Sequence, residues 1–377
     1  MSDINKSANN NSIKIGFIGA GRAGCSLGKM ISEGAARNNG APGISAEPGA
    51  PDANAAAPRA DIELAGYYSR SPGSSRDAAA FTGSHAYRTL GELLTDSDIV
   101  VASVPDDAIA EIWEQTAAIL APAAPSMPTA SAPAAYSKPT ASSTSAASTP
   151  AAPEPMASAR RPRAICHLSG GMTSEVFAGA DSLGIEAASL HPLYAIADRH
   201  ASWQGLSRAS FTFEGSDAAC VIFAPLLGQL RSQGASAARI GTDKKNLYHA
   251  ACVFFSNFVC GLAGIGEDIF RECGLDGEFA ASAWHTLFAD NAKNVVRMGA
   301  AGALTGPAER GDAGTVLRHI ESLSALSHQA GTAAHANNYS KIYREMTCAL
   351  TKIAARKNPE RDYANILSGL TVTEPEA

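Results

Sequence analysis

The sequence predicts an α/β fold, a doubly wound domain on a parallel sheet, followed by an all-α C-terminal domain. Three observations predict it. A short β-rich run breaks into a G-x-G-x-x-G turn that opens a helical pattern, and apolar runs of strand length then alternate with helical segments as far as about residue 215. From about Ser216 the strand signals stop, and apolar-periodic stretches continue to about Arg356.

The first element is the strand Ile13-Lys14-Ile15-Gly16-Phe17-Ile18, which runs into Gly19-Ala20-Gly21-Arg22-Ala23-Gly24 and a helix-like segment from Ala23 to Ile31. In such a turn Gly19 permits the tight reversal, Gly21 leaves the backbone open to a pyrophosphate, and Gly24 lets the helix pack close to the strand. The free N–H groups of the helix N-terminus then face the anion. The expected ligand is a dinucleotide. The other reading of these residues is a glycine-rich turn that binds nothing.

The second strand, Ile62 to Tyr68, ends in Ser69-Arg70-Ser71. A site selective for NAD, or one for S-adenosylmethionine, usually places an Asp or Glu here to accept from ribose hydroxyls, whereas an Arg accommodates a 2′-phosphate. No acid stands at this position, so the expected cofactor is NADP(H), with Ser69, Arg70 and Ser71 around its phosphate. Alternatively Arg70 is a solvated surface arginine.

The run Asp98-Ile99-Val100-Val101-Ala102-Ser103-Val104 has the continuous apolar character of a strand buried in a parallel sheet, and Pro105-Asp106-Asp107 opens a helix from Ala108 to Leu120. Further strands are expected at Ala164 to Leu168, Glu186 to Leu190 and Ser210 to Glu214. Two low-complexity inserts, 38–60 and 121–159, interrupt the pattern. The first is rich in Ala, Pro, Gly and Asn and the second in Ala, Pro, Ser and Thr, so neither can bury enough apolar surface to offset the entropy of ordering it. The expected domains are therefore 12–215 for the nucleotide-binding unit with both inserts, 216–357 for the helical domain, and a partly frayed tail at 358–377.

With 377 residues, 45% of them hydrophobic, the chain can build two substantial cores, and a net charge of −6 offers no basic footprint for nucleic acid. Its seven cysteines are scattered without a C-x-x-C pair, which fits reduced thiols in a cytoplasmic protein and excludes a disulfide framework or a zinc site. Lys14 interrupts the first apolar run, so no secretory signal is expected. Leu247 to Ile265 lacks charge and is about long enough to cross a bilayer. Its His249, Ser256 and Asn257 would be costly in lipid, so a buried helix at the centre of the all-α domain or of a dimer is expected instead of a membrane span.

Several motifs carry a family resemblance. The glycine-rich start, Val104-Pro105-Asp106, Leu168-Ser169-Gly170, His191-Pro192, Tyr248-His249-Ala250-Ala251 with Ser256-Asn257, and Ala303-Leu304-Thr305-Gly306-Pro307 with Arg310-Gly311-Asp312 together resemble the Rossmann-like proteins that carry a C-terminal DUF2520 domain. That family is itself similar to pyrroline-5-carboxylate reductase, ketopantoate reductase and the 6-phosphogluconate and β-hydroxyacid dehydrogenases. The resemblance implies an NADP-dependent reductase whose helical domain builds the substrate site and the dimer. In the β-hydroxyacid dehydrogenases a Lys and an Asn one helical turn apart do acid and orienting work, and here Lys245 and His249 hold that spacing. The Leu304 to Asp312 segment resembles the Thr-Ser-Pro-Gly-Gly signature of pyrroline-5-carboxylate reductases, with Glu309, Arg310 and Asp312 departing from it.

Ligands of open α/β sheets lie beyond the carboxyl ends of the strands, where Val104-Pro105, Ser169-Gly170 and His191-Pro192 are expected. Ser169 would offer a hydroxyl and Gly170 a bare backbone to the nicotinamide. His191 either donates a proton to a developing alkoxide or amine, or is a core histidine bonded to a neighbouring loop. Lys245, His249, Cys252 and Ser256 recur at helical spacing with Asn257 at the edge of the stripe, which is either half of a substrate site or an internal network. Arg310 either clamps a substrate carboxylate or, with Asp312, serves the helix that follows near Thr315. The candidate catalytic set is thus His191, Lys245, His249, Ser256, Asn257 and Arg310, and the expected function is hydride transfer between NADP(H) and a small carboxylate-bearing oxo acid or cyclic imine. The alternative is a non-catalytic NADP-binding regulator. A homodimer with no nucleic-acid or membrane partner is expected.

Overall fold

A computed structural model describes residues 12–40, 61–122, 161–275, 277–329 and 338–371. Apart from residues 38–40 and 121–122, both low-complexity inserts lie outside the described residues. The chain divides into two compact units, Met1–Ser256 and Asn257–Ala377.

In the first unit, an eight-stranded sheet has the order β3-β2-β1-β4-β5-β6-β7-β8. Its strands are β1 (Ile13–Ile18), β2 (Ile62–Tyr68), β3 (His85–Ala86), β4 (Ile99–Ala102), β5 (Ala164–His167), β6 (Glu186–Leu193), β7 (Ser210–Gly215) and β8 (Ser236–Arg239). Helices α1 (Arg22–Gly40), α2 (Pro72–Thr82), α3 (Leu90–Thr95), α4 (Asp106–Leu120) and α5 (Asp217–Ser232) connect the strands, and α6 (Lys245–Phe255) follows the last one. The order runs outward from β1 in one direction and from β4 in the other, so the strand order reverses between them and opens a crevice at their carboxyl ends.

The central strands read as uninterrupted apolar runs because both faces are covered. All four residues of β4 are buried, as are all four of β5. One apolar cluster unites Phe17, Leu27, Met30, Phe213 and Phe223 on one face, and Ile18, Leu93, Val100, Ile112 and Trp113 form another on the opposite face. Each such side chain removed from water contributes about 1.5–3 kcal/mol.

The expected all-parallel sheet needs one correction. β7 runs antiparallel to β6, and β8 is parallel to β7. The connection from Tyr194 to Ala209 holds only a short 3₁₀ segment at Ser202–Arg208, which packs on α1, and the chain re-enters the sheet from the end at which it left. The expected boundary at 215/216 also moves. α5 carries the chain from β7 to β8, and Phe223, Leu226 and Leu230 on α5 are fully buried in the sheet's core, so both elements belong to the first unit.

The second unit is helical throughout its described residues: α7 (Asn257–Glu272), α8 (Gly277–Ala303, broken at Gly299), α9 (Pro307–Arg310), α10 (Ala313–Gln329), α11 (Tyr339–Lys357) and α12 (Ala364–Leu370). Val316, Ile320, Ala354, Tyr363 and Ile366 form its core. The tail expected to fray from Asn358 is therefore ordered through residue 371: Tyr363 and Ile366 are buried, and the Tyr363 hydroxyl donates to the Glu309 carbonyl.

The single buried helix expected over Leu247 to Ile265 is not formed. α6 ends at Phe255, Ser256 leaves helical geometry (φ −133°, ψ −81°), and α7 begins at Asn257. The stretch Thr242–Glu272 is long and apolar enough to cross a membrane, and its large side chains are exposed in the single chain, Leu247 at 72% and Phe255 at 86%. Lys245, buried, and Tyr248 and His249, half-buried, mark the side of α6 that meets the sheet.

Candidate active site

The crevice between β1 and β4 is a cleft of about 250 Å³ lined by Gly19, Ala20, Gly21, Ser69, Arg70, Val104 and Pro105, among others. Gly19 has φ +92°, and a Cβ there would stand 2.3 Å from the Ser103 carbonyl. A Cβ on Gly24 would stand 2.4 Å from Ser103 Oγ, so the glycine sets how closely α1 approaches the end of β4. By contrast, the nearest atom to a Cβ on Gly21 would be 3.6 Å away, which leaves its backbone open to a ligand. The three glycines thus have the turn, the open backbone and the close helix packing that their spacing predicts. Arg22 turns away and donates to the Ala197 carbonyl, Ala23 packs against the core, and Ser71 precedes α2 outside the lining.

From Pro105 the site continues along the strand ends. Asp106, the first residue of α4, accepts from the Ser169 hydroxyl at 2.7 Å. The same Oγ accepts from the backbone N–H groups of Gly171 and Met172 at 3.3 and 3.1 Å. The Ser169 hydroxyl, expected to face a nicotinamide, gives its one proton to Asp106 here and shapes the loop. Below it, buried His167 accepts from the Ser169 N–H at Nδ1, which leaves Nε2–H for the Thr173 carbonyl at 3.1 Å. Burial pushes its pKa down, and the imidazole is neutral.

Gly170 is where the site converges. A Cβ there would stand 2.5 Å from His249 Cδ2 and 2.9 Å from both His191 Nε2 and His249 Nε2, so the edges of the two imidazoles pack against Gly170 where no side chain would fit. Their rings are nearly perpendicular with centroids 6.0 Å apart. His191 lies within β6, not beyond it, and His249 comes from the second turn of α6.

The antiparallel register of β6 and β7 explains how α6 is held. It sets Ser189 opposite Glu214 and, two residues along on the same face, His191 opposite Thr212. Lys245 and Tyr248, one turn apart on α6, each sit on one of these pairs. Lys245 Nζ donates to Ser189 Oγ at 2.6 Å, and the Tyr248 hydroxyl lies 2.8 Å from His191 Nδ1 while accepting from Thr212 Oγ1 at 2.8 Å. Glu214 is fully buried and accepts from the Ser174 hydroxyl and N–H and from Thr242 Oγ1 at 2.7–2.9 Å. Burial opposes its ionisation, but these donors and Ser189 outweigh it and hold its carboxyl below the ordinary value.

The sequence stripe therefore splits. Lys245 is fully buried beneath the sheet surface and does not reach Gly170, whereas His249 does. Burial pushes the Lys245 ammonium down, partly offset by the Glu214 charge. Cys252 lies against Tyr248, and Ser256, at the helix break, returns its hydroxyl to the Cys252 carbonyl. Asn257 and Arg310 belong to the second unit. There Asp312 accepts from the Thr315 N–H at 3.0 Å and caps α10, as one of the two readings of that junction expects, while Glu309 is held by Asn358, Lys357 and Arg361. Arg310 is exposed on α9.

Sequence reasoning missed Tyr248, Thr212, Ser189, Glu214 and Asp106 as members of the site. Tyr248 stood inside a quoted motif, three residues from Lys245, and that spacing was the one available signal. Asp106 likewise stood in the quoted Val104-Pro105-Asp106, whereas Ser189, Thr212 and Glu214 depend on register.

Residues 209–350 match the family model described as domain of unknown function DUF2520. The match begins at the entrance to β7 and takes in Thr212, Glu214, Lys245, Tyr248 and His249. Protein TM1727 from Thermotoga maritima is similar at 20% identity, covering 91% of this chain and 99% of that one, with a TM-score of 0.56. Protein BF3122 from Bacteroides fragilis, whose name offers it as an NADP oxidoreductase, is similar at 16% identity over 91% and 99% of the two chains, with a TM-score of 0.55. At these identities the likeness establishes the shared Rossmann-like fold. Among curated proteins, none matches the chain.

Proposed function

We propose that the protein is an NADP(H)-dependent reductase acting on a small carboxylate-bearing oxo acid of the ketopantoate type or a cyclic imine of the pyrroline type. The observation that carries this reading is juxtaposition within one unit: a cleft of about 250 Å³ at the β1/β4 crossing ends at Pro105, and the next residue, Asp106, holds by Ser169 the loop whose Gly170 packs against two imidazoles. The name of the Bacteroides fragilis neighbour supports the same class.

The residues present fit the cofactor, since the open backbone at Gly21 and the N-terminus of α1 suit a pyrophosphate, and Ser69 with Arg70 suits a 2′-phosphate. The cofactor supplies the hydride when bound. His191 donates a hydrogen bond to the oxygen or nitrogen of the bond being reduced, and His249 orients the substrate beside it. Lys245 stays beneath the sheet surface and acts on the site through its charge. The exposed apolar side chains of α6, Leu247 and Phe255, support burial against a second copy in a homodimer.

The test is NADPH oxidation by purified protein against a panel of 2-oxo acids and cyclic imines, with a binding titration of NADPH alongside. Turnover on either class upholds the reading. Tight NADPH binding without turnover on any member would favour the non-catalytic regulator.

A further inference from the structure

The proton positions at His191 follow from its neighbours, and they single out a residue with no role so far. Thr212 has one hydroxyl proton, which it gives to Tyr248 Oη at 2.8 Å. Tyr248 in turn has one proton and two acceptors within reach, the Nδ1 of His191 at 2.8 Å and the sulfur of Cys252. An imidazole nitrogen is a far stronger acceptor than a thiol, so the phenol proton points to His191. A neutral imidazole that accepts at Nδ1 carries its own proton on Nε2.

We propose that Tyr248, held by Thr212, is a positioning residue that locks His191 as the Nε2–H tautomer and turns that N–H edge toward Gly170 and His249. The role of that N–H as donor to the substrate rests on the reductase reading. The tautomer does not.

Three further features agree with the proposal. The rings of His191 and Tyr248 are nearly perpendicular, with centroids 5.8 Å apart, which places the phenol oxygen in line with the imidazole edge without stacking. Tyr248 cannot lose its proton near neutral pH, because burial pushes the phenol well above its ordinary value. The groups facing His191 keep the imidazole neutral: burial pushes its pKa down to about 4, with Lys245, His249 and His167 acting in the same direction and Asp106 opposing them. A neutral imidazole is a fixed hydrogen-bond donor, and a fixed tautomer spares the site from selecting one at the moment of reaction.

The experiment is nitrogen-15 NMR of histidine-labelled full-length protein at pH 7.5, with the His191 signals assigned by their loss in His191→Gln. In the native protein Nδ1 is expected to read as unprotonated and Nε2 as protonated. In Tyr248→Phe, which keeps the ring and removes the proton, the two nitrogens should move toward averaged values. In Thr212→Val, where Tyr248 keeps its proton, most of the native pattern should persist. A protonated Nδ1 in the native spectrum overturns the proposal without any variant, and so does an unchanged pattern in Tyr248→Phe. On a substrate that turns over, Tyr248→Phe should lower kcat by roughly tenfold or more while the KM for NADPH stays constant. Absence of turnover on the whole panel would count against the reductase reading alone, because the spectrum decides the tautomer separately.

Discussion

Lys245 donates its buried ammonium to the hydroxyl of Ser189, at 2.6 Å, and not directly to a carboxylate. Ser189 stands opposite Glu214 in the strand register, so a positive and a negative side chain, both fully buried, share one serine between them. Burial disfavours both charges, but the donors around Glu214 keep it ionised, and its charge partly offsets the push of burial on Lys245. The arrangement anchors the first turn of α6 to the sheet, and thereby sets where Tyr248 and His249 meet His191.

Removal of one partner should therefore cost stability. Lys245→Met is expected to lower the unfolding free energy by about 3 kcal/mol, toward the low end for a broken buried pair, because Glu214 keeps its Ser174 and Thr242 donors. Urea denaturation measures it. The double variant Lys245→Met with Glu214→Gln should recover part of the loss, and a Lys245→Met midpoint equal to the native one would show that the pair holds nothing in place.

The depressed pKa of His191 makes a prediction about acid. The unfolded imidazole takes up its proton near pH 6.5 and the folded one only near pH 4, so in that interval the unfolded state binds more protons and stability falls as the pH drops. Between pH 7 and pH 4.5 the native protein should lose about 2–3 kcal/mol more than His191→Gln, which has nothing to titrate there. Parallel acid-induced losses in the two proteins would contradict this.

Close packing at the turn after β1 is open to a direct test. A Cβ on Gly24 would press on Ser103, whose own Cβ would be 2.7 Å away, and Gly24→Ala should destabilise by about 1–3 kcal/mol. Adding Ser103→Gly should return most of that loss, as read by thermal melting. A single variant as stable as the native protein would mean that α1 can shift outward freely.

Cofactor choice turns on the rim of the cleft. If Arg70 holds the 2′-phosphate, Arg70→Asp should weaken NADPH binding by roughly ten- to a hundredfold and leave NADH binding almost unchanged. Calorimetric titration of both cofactors against both proteins measures this, and equal native affinities for NADPH and NADH would remove the role assigned to Arg70.

How much was legible in advance depends on the range over which each feature is decided. The turn at Gly19 to Gly24, the buried strand at Ile99 to Ala102, the helix that opens at Asp106 and the cap at Asp312 are written in a few consecutive residues, because steric and capping requirements act locally. His191 and His249 were found by residue type in a recognisable context. The burial of Lys245 against Ser189 matches the internal-network reading of the stripe, which the spacing left open because a helical stripe shows which side chains share a face without showing what that face meets.

The sequence by itself determined the α/β class, the glycine-rich turn after β1 and the helical character of the second unit, all through spacings of two to four residues that local geometry enforces. Only the tertiary structure decided the direction of β7. Strand periodicity is the same whether a strand enters the sheet from one end or the other, and the antiparallel choice is made by how the Tyr194 to Ala209 connection packs. That single choice brings Thr212 opposite His191 and Glu214 opposite Ser189. A site assembled across that pairing becomes visible only after the chain has folded.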